Sequence, residues 1–62
     1  MKRSKLVKLL ISNNCIMLRH GKKHDIYENR LTKEKAPIPR HSEIPDSLVK
    51  LICKQLGVKP LK

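Results

Sequence analysis

Apolar residues recur along this chain in two rhythms. In the opening segment Leu6, Val7, Leu9, Leu10 and Ile11 fall at helical spacing, with Lys5, Lys8 and Ser12 filling the other face and Ser4 in front as an N-cap. The spacing predicts an amphipathic helix that turns at Asn13-Asn14, a pair that tolerates the left-handed conformation ending helices. A second helical stripe runs through Leu48, Val49, Leu51, Ile52 and Leu56. Pro45 and Asp46 suit its first turn, Lys50 and Lys54 face outward, Gly57 offers a stop and Pro60 prevents continuation.

Between the helices the rhythm shortens. Cys15-Ile16-Met17-Leu18-Arg19 is an apolar run bounded by turn signals and too short for a helix, so a strand is expected. Gly21 supplies a permissive position in a tight connection, and His24-Asp25-Ile26-Tyr27-Glu28 then alternates as a second strand. Asn29 to Glu34 is a polar turn. Lys35-Ala36-Pro37-Ile38-Pro39 follows as a third strand whose prolines, two apart, aim their missing donors to one side; this predicts an edge. The order α-β-β-β-α implies an α+β fold, with both helices on one face of a three-stranded antiparallel sheet. The 62 residues form one domain, 1–62, with Met1 to Arg3 and Lys59 to Lys62 expected to fray.

Composition narrows the core and the partner. Phenylalanine and tryptophan are absent and Tyr27 is the sole aromatic, so aliphatic side chains and cysteine must build a thin core of modest stability. Fifteen lysines and arginines oppose five acidic residues, a formal charge of +10. That balance points to a polyanion: nucleic acid bound through phosphate contacts, or an acidic protein. A membrane partner is disfavoured, because basic interfacial helices usually carry Trp or Phe. The run Leu6 to Ile11 is interrupted by Lys8, is too short to span a bilayer and lacks a cleavage site after it, so a cytoplasmic location is expected. Cys15 and Cys53 lack metal-site spacing and read as buried apolar residues in a reducing compartment.

Candidate chemistry gathers in Gly21-Lys22-Lys23-His24-Asp25-Ile26-Tyr27 and in Pro39-Arg40-His41. A histidine can move a proton near neutral pH while lysines and arginines hold a phosphodiester, the minimum equipment for cleaving RNA with neither metal nor small-molecule cofactor. His24 reads either as that proton carrier or as an ordinary exposed strand histidine. Arg40 offers a planar fork for phosphate or is a solvated loop cation. His20 and His41 read as a second proton-transfer partner, as phosphate ligands, or as solvent-facing loop residues. Tyr27 alternates to the face opposite His24 and belongs with the core, and one aromatic is too few for a base-stacking groove.

The ordered set of motifs resembles the HicA family of small toxins from toxin-antitoxin pairs, which act as mRNA interferases. The resemblance is carried by Ser4-Lys5-Leu6-Val7-Lys8-Leu9-Leu10, Arg19 before the glycine turn, Gly21-x-x-His24-Asp25-Ile26-Tyr27, Pro39-Arg40-His41-Ser42-Glu43-Ile44 and Ile52-x-Lys54-Gln55-Leu56-Gly57. It implies a fold like the double-stranded RNA-binding domain, a catalytic histidine at His24, mRNA as substrate and a HicB-type antitoxin as partner. Arg19, Lys22, Lys23, Arg40 and His41 are the expected RNA-binding residues. The chain departs from the family's usual Gly-Ser-His or Gly-Asn-His by placing Lys22-Lys23 between Gly21 and His24. A non-catalytic RNA-binding module of the same fold would explain the charge equally well and would not need His24.

Overall fold

The computed structural model describes residues 1–59, in the order α1 (Arg3–Ser12), β1 (Cys15–His20), β2 (His24–Asn29), β3 (Lys35–Pro39) and α2 (Asp46–Leu56). The antiparallel sheet has the order β1-β2-β3, so the proline-bearing β3 is an edge, as its missing donors require. Leu6 and Leu10 of α1 and Val49, Ile52, Cys53 and Leu56 of α2 form one core with Cys15, Tyr27, Ala36 and Ile38 of the sheet. Cross-strand register places those sheet residues on the same side: Met17 and Ala36 flank Tyr27, and Ile38 opposes Asp25. Both helices therefore cover one face and leave the other, which carries His24, Ile26 and Glu28, uncovered.

Three expectations need correction. Ser4 is not the N-cap: α1 begins at Arg3, Lys2 occupies the cap position without a side-chain hydrogen bond, and the Arg3 N–H donates to the Ser42 carbonyl at 2.9 Å. Tertiary pairing supplies the partner that a capping hydroxyl would have supplied. The same pairing holds down Met1 to Arg3, which do not fray; Lys2 bridges Glu43, and the Ile44 N–H donates to the Met1 carbonyl at 2.8 Å. At the other end, the fraying expected for residues 60–62 and the helix-stopping role of Pro60 lie outside the described residues, whereas Lys59 is exposed beyond α2. Finally, Ile11 and Leu51 are not core, being 59% and 50% exposed. At roughly 100° per residue Leu51 falls roughly 100° from Ile52 and roughly 160° from Cys53 around the helix, so a run this dense in apolar residues cannot turn all of them inward.

Elsewhere the local signals hold. Asn14 adopts φ 67° and Gly57 φ 68°, the left-handed positions that end α1 and α2. Cys15 and Cys53 are buried thiols, and burial pushes both thiol pKa values up, which keeps them protonated and unreactive. Asn29 is a buried polar residue with its bonds satisfied: Nδ2 donates to the Leu56 carbonyl at 2.7 Å, and Oδ1 accepts from the Leu31 N–H at 2.9 Å. It ties the end of α2 to the β2–β3 loop.

Candidate functional site

A β-bulge sets the geometry of the site. Cys15, Ile16 and Met17 pair with Asn29, Glu28 and Tyr27, but the register then slips by one, so that Arg19 opposes Ile26 and His20 opposes Asp25. The inserted residue is Leu18. Without it Arg19 would face Asp25 on the helix side; with it, Arg19 moves to the uncovered face beside Ile26, and His20 takes its place. No local signal in the run from Cys15 to Arg19 marks this slip.

The hairpin after the bulge presents the lysines. Gly21, Lys22 and Lys23 connect β1 to β2, and the Gly21 N–H donates to the His24 carbonyl at 2.7 Å. A Cβ on Gly21 would lie 2.6 Å from that carbonyl oxygen, so glycine is required here by close backbone approach. His24 opens β2 with an exposed side chain, on the same face as Arg19 and Ile26, and Lys22 and Lys23 are exposed beside it. Gly21, Lys22, Lys23, His24, Ile26 and Pro37 line a shallow depression on this face.

The residue next to His24 serves a different purpose. Asp25 is turned to the helix side and buried, and its carboxylate collects two guanidinium groups and an imidazole. Arg3 Nη2 donates to Oδ2 at 2.7 Å, His20 Nδ1 lies 2.8 Å from Oδ1, and Arg40 donates from Nε to Oδ1 at 3.1 Å with its Nη2 in ion-pair range at 3.0 Å. Hydrogen bonding from His20, then from Arg40, holds this carboxyl below the usual carboxylate range. Arg40 also donates from Nη2 to the Gly21 carbonyl at 2.7 Å and from Nη1 toward the Lys22 carbonyl at 3.3 Å, while Arg3 Nε reaches the Pro39 carbonyl at 2.9 Å. The carboxylate thus fastens α1, the end of β3 and the lysine turn to one point.

Of the residues expected to act together, the fold gathers His24, Lys22 and Lys23 around one depression, and Arg19 shares their face as the cross-strand partner of Ile26. Arg40 is set behind the turn as its clasp, and His41 is exposed in the connection between β3 and α2. Sequence reasoning missed the Arg3–Asp25–His20 cluster, although strand alternation already separates residues 24 and 25 onto opposite faces. The second buried acid, Glu28, sits on the uncovered face within 3.5 Å of Arg30 and 3.6 Å of Lys35. With Asp25 and Glu28 occupied internally, the lysines of the turn keep their charge for an outside partner. No helix among the described residues is long and apolar enough to cross a membrane.

Fold and site define a small basic α+β protein that displays a histidine among cations on the bare face of its sheet. A family model for the HicA toxin of bacterial toxin-antitoxin systems matches residues 3–58, nearly the whole chain. The chain belongs to this family and is the toxin member of a toxin-antitoxin pair. Comparison with curated proteins and with solved structures gave no significant match.

Proposed function

We propose that this toxin is a metal-independent endoribonuclease that cleaves mRNA, with His24 as general acid/base. The observation that carries the reading is the position of His24: exposed, on the uncovered face, between the Lys22-Lys23 turn and Arg19. A phosphodiester held by the cations brings its 2′-hydroxyl or its leaving oxygen to the imidazole. His24 takes the 2′-hydroxyl proton as O2′ attacks phosphorus, or gives a proton to O5′ as the P–O5′ bond breaks; the products are a 2′,3′-cyclic phosphate and a 5′-hydroxyl. Lys22, Lys23 and Arg19 stabilise the charge that builds on the phosphoryl oxygens. Arg40 acts behind them as a positioning residue, through the carbonyls of Gly21 and Lys22. His41 stands as a further phosphate contact from the β3–α2 connection.

In the cell the partner is an antitoxin of the HicB type, which covers His24 and the cations with an acidic surface. Both act in the cytoplasm. The test is to induce wild type and His24→Ala side by side and follow growth and RNA integrity, with circular dichroism on both proteins. Arrest and RNA decay with wild type alone is the expected result. Equal RNA binding and equal cellular effect from two folded proteins would leave a non-catalytic RNA-binding module instead.

A further inference from the structure

We infer that the shelf formed by Ile26 and Pro37 is a nucleobase subsite, which receives the base of the nucleotide whose 2′-hydroxyl meets His24. The inference rests on the ribonuclease reading and extends it from the phosphate to the base. Ile26 and Pro37 are direct register partners on the uncovered face, Ile26 half-buried and Pro37 exposed, and together they floor the depression whose rim is Lys22, Lys23 and His24. Ile26 lies two residues beyond His24 on the same strand and the same face, hence about 7 Å along it. That separation is of the order of the distance between a ribose and the centre of its own base. A strand anchored by phosphate at the lysines, with its ribose at His24, must lay that base over the Ile26–Pro37 pair or leave it in water.

The chemistry of the floor fits such an occupant. A base pulled out of its stack needs a flat apolar surface in exchange, and a proline ring beside a β-branched side chain presents one. Tyr27, the only aromatic, is buried on the other face and cannot serve. The floor offers no side-chain donor or acceptor to read a base edge. The subsite therefore responds to the presence and size of a base, and its sequence preference is loose. Cations on the rim and an apolar floor suit a nucleotide, which has both parts; the competing occupant is an apolar side chain of the antitoxin.

The test uses the full chain and two short RNAs in which a single nucleotide keeps its 2′-hydroxyl and every other position is 2′-O-methylated. In one RNA that nucleotide carries its base; in the other it is an abasic ribose. Wild type is expected to cut the intact RNA with a kcat/KM about five- to ten-fold higher, the lower end of what a stacked base contributes. Pro37→Ser and Ile26→Thr, checked for unchanged unfolding, should cut both RNAs at the rate wild type shows on the abasic one. Equal cleavage of the two RNAs by wild type overturns the subsite and leaves the ribonuclease reading standing. It is overturned too if the variants slow both substrates alike, or if they keep the discrimination and lose inhibition by the antitoxin, which assigns the shelf to the protein partner. A folded wild type that cuts neither these RNAs nor a long mRNA removes the ribonuclease reading, and the subsite falls with it.

Discussion

The two faces of β2 put charge to opposite uses. On the helix side Asp25 and Asn29 are buried, and each polar atom is matched: Asp25 by Arg3, His20 and Arg40, Asn29 by the Leu56 carbonyl and the loop amides. On the bare side His24 is exposed beside Lys22 and Lys23, and an apolar shelf lies next to it. A core this thin cannot enclose an unmatched charge, because burial leaves each ion dependent on its partners. The helix side therefore uses polar groups as fasteners. The bare side can leave cations unmatched because water solvates them until a partner arrives. Neighbouring residues 24 and 25 thus part company, His24 left open to the outside and Asp25 holding the turn beside it.

Exchanging single residues across this divide should separate activity from stability. His24→Ala is expected to lower cleavage by roughly 100- to 10,000-fold, the range removed with a general acid/base, while thermal unfolding stays at the wild-type midpoint. Asp25→Asn should do the reverse first: a lower melting temperature, followed by weaker cleavage only as far as the turn loosens. The pH dependence sharpens the point. Because the folded-state carboxyl of Asp25 is depressed, its stabilisation is complete above the ordinary carboxylate value of about 3.9 and is lost as pH falls through the lower folded-state value. Melting curves recorded between neutral pH and about pH 3 should therefore show an acid-side loss of stability in wild type that Asp25→Asn lacks.

Gly21 sits where the two sides meet. In Gly21→Ala the new methyl would press on the His24 carbonyl at 2.6 Å, and backbone on both sides of the turn must shift. A cost of about 1–3 kcal/mol is expected, as for other overpacked sites, read by chemical denaturation. Cleavage should fall further than stability accounts for, since the displaced residue is the one that carries the histidine. Wild-type activity at full substrate saturation in a stably folded Gly21→Ala would show that the turn does not position the chemistry.

How much of this was legible beforehand depends on the range of the signal. Two-residue alternation placed Tyr27 in the core and away from His24, the prolines marked β3 as an edge, and Gly57 ended α2, each from a few neighbouring residues. The separation of Asp25 from His24 was equally legible, since the same alternation governs it. What local pattern could not carry were features decided across the chain. The slip at Leu18 depends on what β2 offers in return, and it alone brings Arg19 to the bare face. Arg40 has the composition of a phosphate ligand, and only the fold shows its guanidinium turned inward onto Asp25 and the turn carbonyls. The start of α1 at Arg3, ahead of Ser4, likewise follows from Ser42 in a distant segment.

The smallest effect belongs to the lysines, and it tests whether the bare side is electrostatic as argued. Each lysine that neutralises a phosphate releases condensed counterions, so the logarithm of affinity falls with the logarithm of salt at a slope of roughly 0.7 per contact on single strands. Lys22→Gln and Lys23→Gln should each lower that slope by about one contact's worth, measured by titrating a 2′-O-methylated RNA at several salt concentrations. At low salt the losses are modest. Folding should be indifferent to both changes, because neither side chain is buried and Arg40 grips this turn through backbone carbonyls alone. If the slope stays the same when both are replaced, the RNA path runs elsewhere on the +10 surface, and the division of labour between the faces of β2 would hold for the fold but not for its ligand.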